Sequence, residues 1–226
     1  VQTRFFIFYP LNTNLELSKV SITLNGKQIV HSVNLKAVSG DVIFITGDNG
    51  SGKSTLLKAI ARYLPVSAGD IFFNARHFEE MPLPEWHRNV HFLPQHNTLA
   101  FPVEVKELLI MAFFRQKKWY EAYTPHQWLA VKGMAERFGI THLLNRNAKE
   151  LSGGELQLCW LVQSFLAAPP VLLLDEPTQY LDAKNRTRFF SILHEMQAVE
   201  PFICICVTHD LPFKKEDYGQ VLNLSN

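Results

Sequence analysis

The sequence predicts an α/β fold with a mostly parallel central sheet, an N-terminal antiparallel β portion and an inserted helical subdomain. Three observations predict it. The apolar runs Val42–Thr46, Val171–Leu174 and Phe202–Val207 are short and continuous, as strands buried on both faces of a parallel sheet are. Helical segments follow or precede those runs, and strand–helix alternation is the pattern of a parallel sheet. Between about His96 and Leu151 the texture turns helical, which places a helical insert inside the alternation. At 226 residues the chain fits one such domain over 1–226, with a core of about 1–95 and 165–226 and a helical subdomain of about 96–164.

In chain order, Leu15–Val20 reads as a strand and Leu24-Asn25-Gly26-Lys27 as an Asn-Gly turn before the strand Val42–Thr46. A helix begins within Gly52–Thr55 and continues through Ile60. The loop Ser67–Asp70 leads into a strand at Ile71–Phe73. Val103–Phe114 and Trp128–Phe138 carry apolar residues at helical spacing, with a break at Pro125. The strands at Val171 and Phe202 are separated by a helix over Lys184–Gln197.

Composition narrows the partners. Hydrophobic residues make up 47% and charged residues 19%, with a formal net charge of +1, so neither a disordered chain nor a polyanion-binding one is indicated. No secretory signal is visible. The uncharged window Leu156–Leu174 has the length of a membrane span, but Pro169-Pro170 and two glutamines argue for a helix followed by a buried strand. Any membrane role then needs a partner. Cys204 and Cys206 alternate in an apolar run and Cys159 stands alone, so all three read as buried hydrophobes and not as a metal site. Phe113–Tyr120 mixes aromatics with cations. It reads as a solvated helix end, with contact to a permease or to lipid headgroups as the alternative and nucleic acid discounted.

The chemistry concentrates in three places. Gly47-Asp48-Asn49-Gly50-Ser51-Gly52-Lys53-Ser54-Thr55 matches G-x-x-x-x-G-K-[ST] between a strand and a helix, the context the motif requires. Its glycines let backbone N–H groups face phosphate oxygens, and the helix dipole adds to the attraction. Lys53 is expected on the β- and γ-phosphates and the Ser54 hydroxyl on Mg²⁺. Asp175-Glu176 closes an apolar strand, which sets Asp175 to hold the metal and Glu176 to polarise an attacking water. Leu151-Ser152-Gly153-Gly154-Glu155 is a second small-residue turn opening a helix, suited to receive phosphate. With one complete phosphate loop already present, a second such turn makes sense if it serves the nucleotide of another copy.

Over essentially its full length the chain resembles an ABC ATPase, a P-loop NTPase. Lys53 and Ser54 match the Walker A motif, Gln95 the Q-loop, Ser152–Glu155 the signature, Asp175 and Glu176 Walker B, Leu181-Asp182 the D-loop, and His209 the switch histidine. The resemblance implies a head-to-tail dimer, with itself or a paralogous ATPase subunit, in which two ATPs lie between Walker A of one copy and the signature of the other. It further implies Gln95 near magnesium and the attacking water, His209 near the γ-phosphate, an integral-membrane permease as partner, and a place at the cytoplasmic face of a membrane.

Two positions depart from the family pattern. The aromatic residue that commonly stacks on adenine falls by spacing at Leu24, and no Phe, Tyr or Trp occurs between Tyr9 and Phe44, so apolar contact replaces ring stacking. The basic residue usual a few positions after the signature is replaced by Leu156-Gln157-Leu158-Cys159-Trp160. Leu99–Val105, the Glu155 variant of the signature and Thr178–Asp182 resemble ATPases of haem, iron–siderophore and cobalamin importers, which also work with a substrate-binding protein. Lys53 and Ser152 are 99 positions apart, too close for the coiled coil of a DNA-repair ATPase. The competing expectation is a non-transporting ABC ATPase that signals to or tethers a membrane partner.

Overall fold

The computed structural model describes residues 13–208 and 219–224, which form two compact units. The first comprises 13–95, 169–177 and 196–208 with 219–224; the second comprises 96–168 and 178–195.

The first unit holds two sheets. Strands β1 (Asn14–Leu24) and β2 (Lys27–Val38) join through the Asn25-Gly26 turn and pair antiparallel. After β3 (Val42–Thr46) and helix α1 (Lys53–Ile60), β4 (Ala68–Phe73) returns to pair with β1, and the short β5 (Arg76–His77) completes the order β2-β1-β4-β5. Leu15, Leu17, Val20 and Ile22 of β1 and Val30, Val33, Leu35 and Ala37 of β2 are buried. The residue spacing slips from two to three at Leu17/Val20 and again at Val30/Val33, beside left-handed Lys19 and Ser32. Such a bulge inserts one residue and breaks strict alternation. That is why alternation is lost around Ser32 and the sequence places no strand over 27–38.

Helix α2 (Leu83–Asn89) and β6 (Val90–Leu93) follow, neither of which the sequence pattern predicts. The remaining strands are β7 (Val171–Asp175), β8 (Ile203–Val207) and β9 (Gln220–Asn223). They build a parallel sheet in the order β6-β7-β8-β3-β9. Helix α1 contributes Leu56, Leu57, Ala59 and Ile60 to one core with residues of both sheets. The carbonyls that end α1 have no intrahelical donors. The buried Trp86 indole donates to Ile60 O at 3.0 Å, and the His87 ring lies 3.1 Å from Ala61 O. Helix α2 therefore caps α1, and a short helix with one buried residue is held in place by that bond and by the Phe73 and Phe78 rings against Trp86.

The second unit is helical. It contains α3 (Val105–Ile110) running into a 3-10 segment over Met111–Gln116, then α4 (Pro125–Phe138), α5 (Gly153–Ala167) and most of α6 (Ala183–Val199). Val103 and Glu104 are not helical as the spacing predicts, because Ala148 N donates to Val103 O and Glu104 forms a bridge with Asn147. Pro125 does not break a helix but opens one. It occupies the first turn, where its missing N–H costs nothing, and Thr124 and Gln127 form a capping box around it. Phe138, Phe165 and Phe189 pack in series, with centroids 5.7 and 6.2 Å apart. Among the described residues no helix is long and apolar enough to cross a membrane.

Replacing Trp86 by Phe keeps most of the ring but leaves the buried Ile60 carbonyl without its donor, at a cost of about 1–3 kcal/mol. Urea unfolding of the full chain should show a lower midpoint with an unchanged slope; an unaltered midpoint would mean that α1 ends without help from α2.

A phosphate loop and a buried carboxylate at the strand ends

Because all five strands of the second sheet are parallel, their C-terminal ends share one edge, where α/β sheets place their ligands. The loop 47–52 leaves β3 at that edge. Gly47 adopts φ 144°, and a Cβ there would lie 2.3 Å from Leu224 O and 2.8 Å from Ser51 Oγ, so only glycine lets the loop start this turn. Ser51 N donates to Asp48 O at 3.1 Å, and Leu56 N to Gly52 O at 2.8 Å as α1 begins. The Lys53 amine folds back over the loop and donates to the carbonyls of Gly47 and Asp48, both at 2.8 Å. Its side chain is buried although charged, which its two carbonyl partners make tolerable against the positive end of the α1 dipole. Asn49, Gly50 and Thr55 complete the turn and first helical residues, with Gly50 also in a left-handed conformation.

Two strands away, β7 ends in Asp175, which is 2% exposed. The Ser54 hydroxyl donates to Asp175 Oδ1 at 2.9 Å. Glu176 takes a left-handed φ of 50°, and its N–H donates to Val207 O at 2.9 Å. A non-glycine residue in that region costs about 1–2 kcal/mol, so the turn that follows β7 holds Glu176 against its own backbone preference. Behind the pair, Cys206 of β8 is pushed well above the usual thiol range, first by burial and then by the charges of Cys204, Glu176 and Asp175. Burial likewise pushes Cys204 up to about 12, which leaves these thiols inert. Gln95 stands two residues beyond β6, whose Leu93 pairs with Leu174, so it leaves the sheet at the same edge. His209 lies outside the described residues.

In the helical unit, Ser152 is the N-cap of α5. Glu155 reaches back to it: Ser152 N and Ser152 Oγ each donate to Glu155 Oε2, at 2.9 and 2.8 Å. The Ser152 N–H first, and then its hydroxyl, hold the Glu155 carboxyl below its usual range. Glu155 is thus an acceptor that fixes the turn, and as an anion it offers no donor to phosphate. The first-turn N–H groups of Gly153 and Gly154 are the ones left facing outward from the helix start.

Sequence reasoning missed Tyr180. Its carbonyl would lie 2.8 Å from a Cβ at Gly154, its ring flanks Gly153, and its hydroxyl is 3.3 Å from His96 Nδ1. Nothing in one sequence marks this residue, because its neighbours come from segments far apart in the chain. Asp182, expected only through the family D-loop, caps α6 by accepting from Asn185 N at 2.7 Å. An Asp three residues before that amide was a readable cap signal. Leu24 ends β1 half-buried against the core.

A family model described as ABC transporter matches residues 30–179. The petrobactin import ATP-binding protein FpuD of Bacillus anthracis is 28% identical over 87% of this chain and 72% of its own length. The zinc import ATP-binding protein ZnuC of Buchnera aphidicola is 27% identical over 94% and 81%, and the hemin import ATP-binding protein HmuV of Shewanella denitrificans is 31% identical over 87% and 78%. A solved ATP-binding subunit of an ABC transporter superposes with a TM-score of 0.75 at 22% identity, covering 86% of this chain and 79% of that one. With its phosphate loop, strand-end carboxylates and Ser-Gly-Gly turn, the chain belongs to the ABC transporter family as an ATP-binding subunit that couples ATP hydrolysis to transport.

Proposed function

We propose that the sheet edge is a Mg²⁺-dependent ATP hydrolysis site completed by the Ser152 turn of a second copy, and that the motor drives uptake of a metal ion or metal chelate through a permease. The observation that carries the site is the Ser54–Asp175 hydrogen bond, which puts the first turn of α1 and the end of β7 within reach of one ligand. A hydroxyl and a buried carboxylate are the hard oxygen donors that Mg²⁺ takes, so the residues fit the ion. Ser54, Asp175 and Gln95 would hold it, and it would supply charge neutralisation at the phosphates.

The chain's own groups then divide the work. The loop amides of 47–52 and the Lys53 amine carry the developing negative charge, which is largely a matter of preorganised dipoles. Glu176 accepts the proton of the attacking water, and His209 contacts the γ-phosphate. Across the dimer, the Gly153 and Gly154 amides close on the same phosphate, and the Ser152 hydroxyl joins them by turning its proton from Glu155 Oε2 to the phosphate. Adenine rests on the apolar side chain at Leu24, so base discrimination is weak. This reading puts the protein at the cytoplasmic face of a membrane. The importer assignment is supported by relatives named for petrobactin, zinc and hemin import, and a substrate-binding protein would complete such a system. Vesicle-reconstituted cargo uptake with the cognate permease tests the importer assignment.

Glu176→Gln should retain ATP binding, lose about 10²-fold or more in turnover and accumulate as an ATP-bound dimer on gel filtration. Turnover near that of the parent would overturn the assignment of the base.

Leu24→Tyr should tighten ATP binding by about 0.5–1.5 kcal/mol if a ring at this position finds the base. Titration of ATP and GTP against both proteins checks it, and strong ATP selectivity in the parent would place the adenine contact elsewhere.

For the shared site, mixing inactive Ser152→Arg and Lys53→Ala proteins should restore activity, because a head-to-tail heterodimer leaves one composite site intact. Specific activity of the parent should fall on dilution as the dimer dissociates. Activity per chain that is constant across a wide dilution series would sink the shared site.

A further inference from the structure

The helical unit exposes one run of aromatic and basic side chains that neither the phosphate site nor the core uses. Trp119 is 83% exposed, Tyr120 63% and Phe114 56%. The rings of Trp119 and Tyr120 meet edge to face at 5.7 Å, and no other ring packs on Trp119 among the described residues. Within 114–121 stand Arg115, Lys117 and Lys118 against one carboxylate, that of Glu121, which accepts from Lys118 N at 2.9 Å, in a chain whose net charge is only +1. Lys117 stiffens the turn: its amine donates to Lys118 O at 3.2 Å and to Glu121 O, and lies over the Tyr123 ring at 4.8 Å. The Lys118 amine lies 5.8 Å from the centre of the exposed Tyr120 ring. Cation and aromatic are thus presented side by side, on a turn held by its own hydrogen bonds.

We propose that this turn is a membrane-contact site that inserts Trp119 and Tyr120 at the headgroup level of an anionic bilayer, with Lys118 facing the lipid phosphates. Trp and Tyr have an apolar body and a polar tip, which suits the interface between hydrocarbon and water. Basic residues beside them gain from the negative surface potential. An exposed indole on the chain costs solubility unless something covers it, and here the surrounding charge is complementary to phosphate headgroups.

The test is co-sedimentation of the full chain with vesicles of phosphatidylcholine alone and of phosphatidylcholine mixed with phosphatidylglycerol. Binding is expected only to the anionic vesicles, weakening with added salt, and it should be accompanied by a blue shift of tryptophan emission. Lys118→Ala should weaken partitioning about fivefold, and Trp119→Ala about tenfold or more with loss of the shift. ATP turnover without vesicles should be the same in both variants and the parent. Equal binding to both vesicle types, binding to neither, or undiminished binding by Trp119→Ala would overturn the proposal; binding to neither would assign the turn to a protein partner.

Discussion

The site rests on a contact between groups 121 positions apart, the hydrogen bond from the Ser54 hydroxyl to Asp175. Ser54 begins a helix and Asp175 ends a strand, and the two strands that lead to them, β3 and β7, are separated by β8. The distance between hydroxyl and carboxylate is therefore fixed by strand spacing and by the length of the phosphate loop. Both are rigid quantities. Adding or removing a residue in 47–52 would move Ser54 along the helix start and separate the pair. The left-handed conformation at Gly47 is a consequence of the same limit, since the loop must turn tightly between Ser51 and Leu224 to deliver Ser54 where Asp175 waits.

Burial gives that contact its weight. Asp175 is almost fully enclosed and sits among strands whose inward residues are Leu, Ile, Val and Cys. A carboxylate in such surroundings is costly unless partnered, so the apolar sheet and the polar partner belong together. The same environment makes Cys204 and Cys206 inert and strengthens any charge interaction at the strand ends. Glu176 differs from its neighbour. It lies one residue beyond the strand, half-buried and in a left-handed turn whose N–H bonds Val207 O.

The sequence made three of the five parallel strands, β3, β7 and β8, and the phosphate loop legible because each is a local pattern. Val42–Thr46 needs only its own apolar run, and the loop only its glycines and Lys53. The antiparallel portion was half legible. Strand β2 was missed because a bulge at Ser32 moves its buried residues from a two-residue to a three-residue spacing, and α2 was missed because its one buried side chain, Trp86, serves a different helix. The contact of Tyr180 with the Ser-Gly-Gly turn was invisible for a deeper reason. It depends on which segments the fold brings together, and spacing along one chain carries no such information. Asp182 was recognised by resemblance, whereas its physical task, capping α6, was open to direct reading.

The course of the chain between the two units adds a constraint on any coupling between hydrolysis and movement. The chain passes from one unit to the other after Gln95 and again after Pro177. The first crossing directly follows Gln95, and the second comes two residues after Asp175. The segments that begin there, at His96 and at Thr178, meet again inside the helical unit, where Tyr180 bonds His96 and lies on Gly153 and Gly154. Each strand end thus leads within a few residues into a segment that Tyr180 ties together inside the helical unit, through its hydroxyl to His96 and its backbone and ring against Gly154 and Gly153.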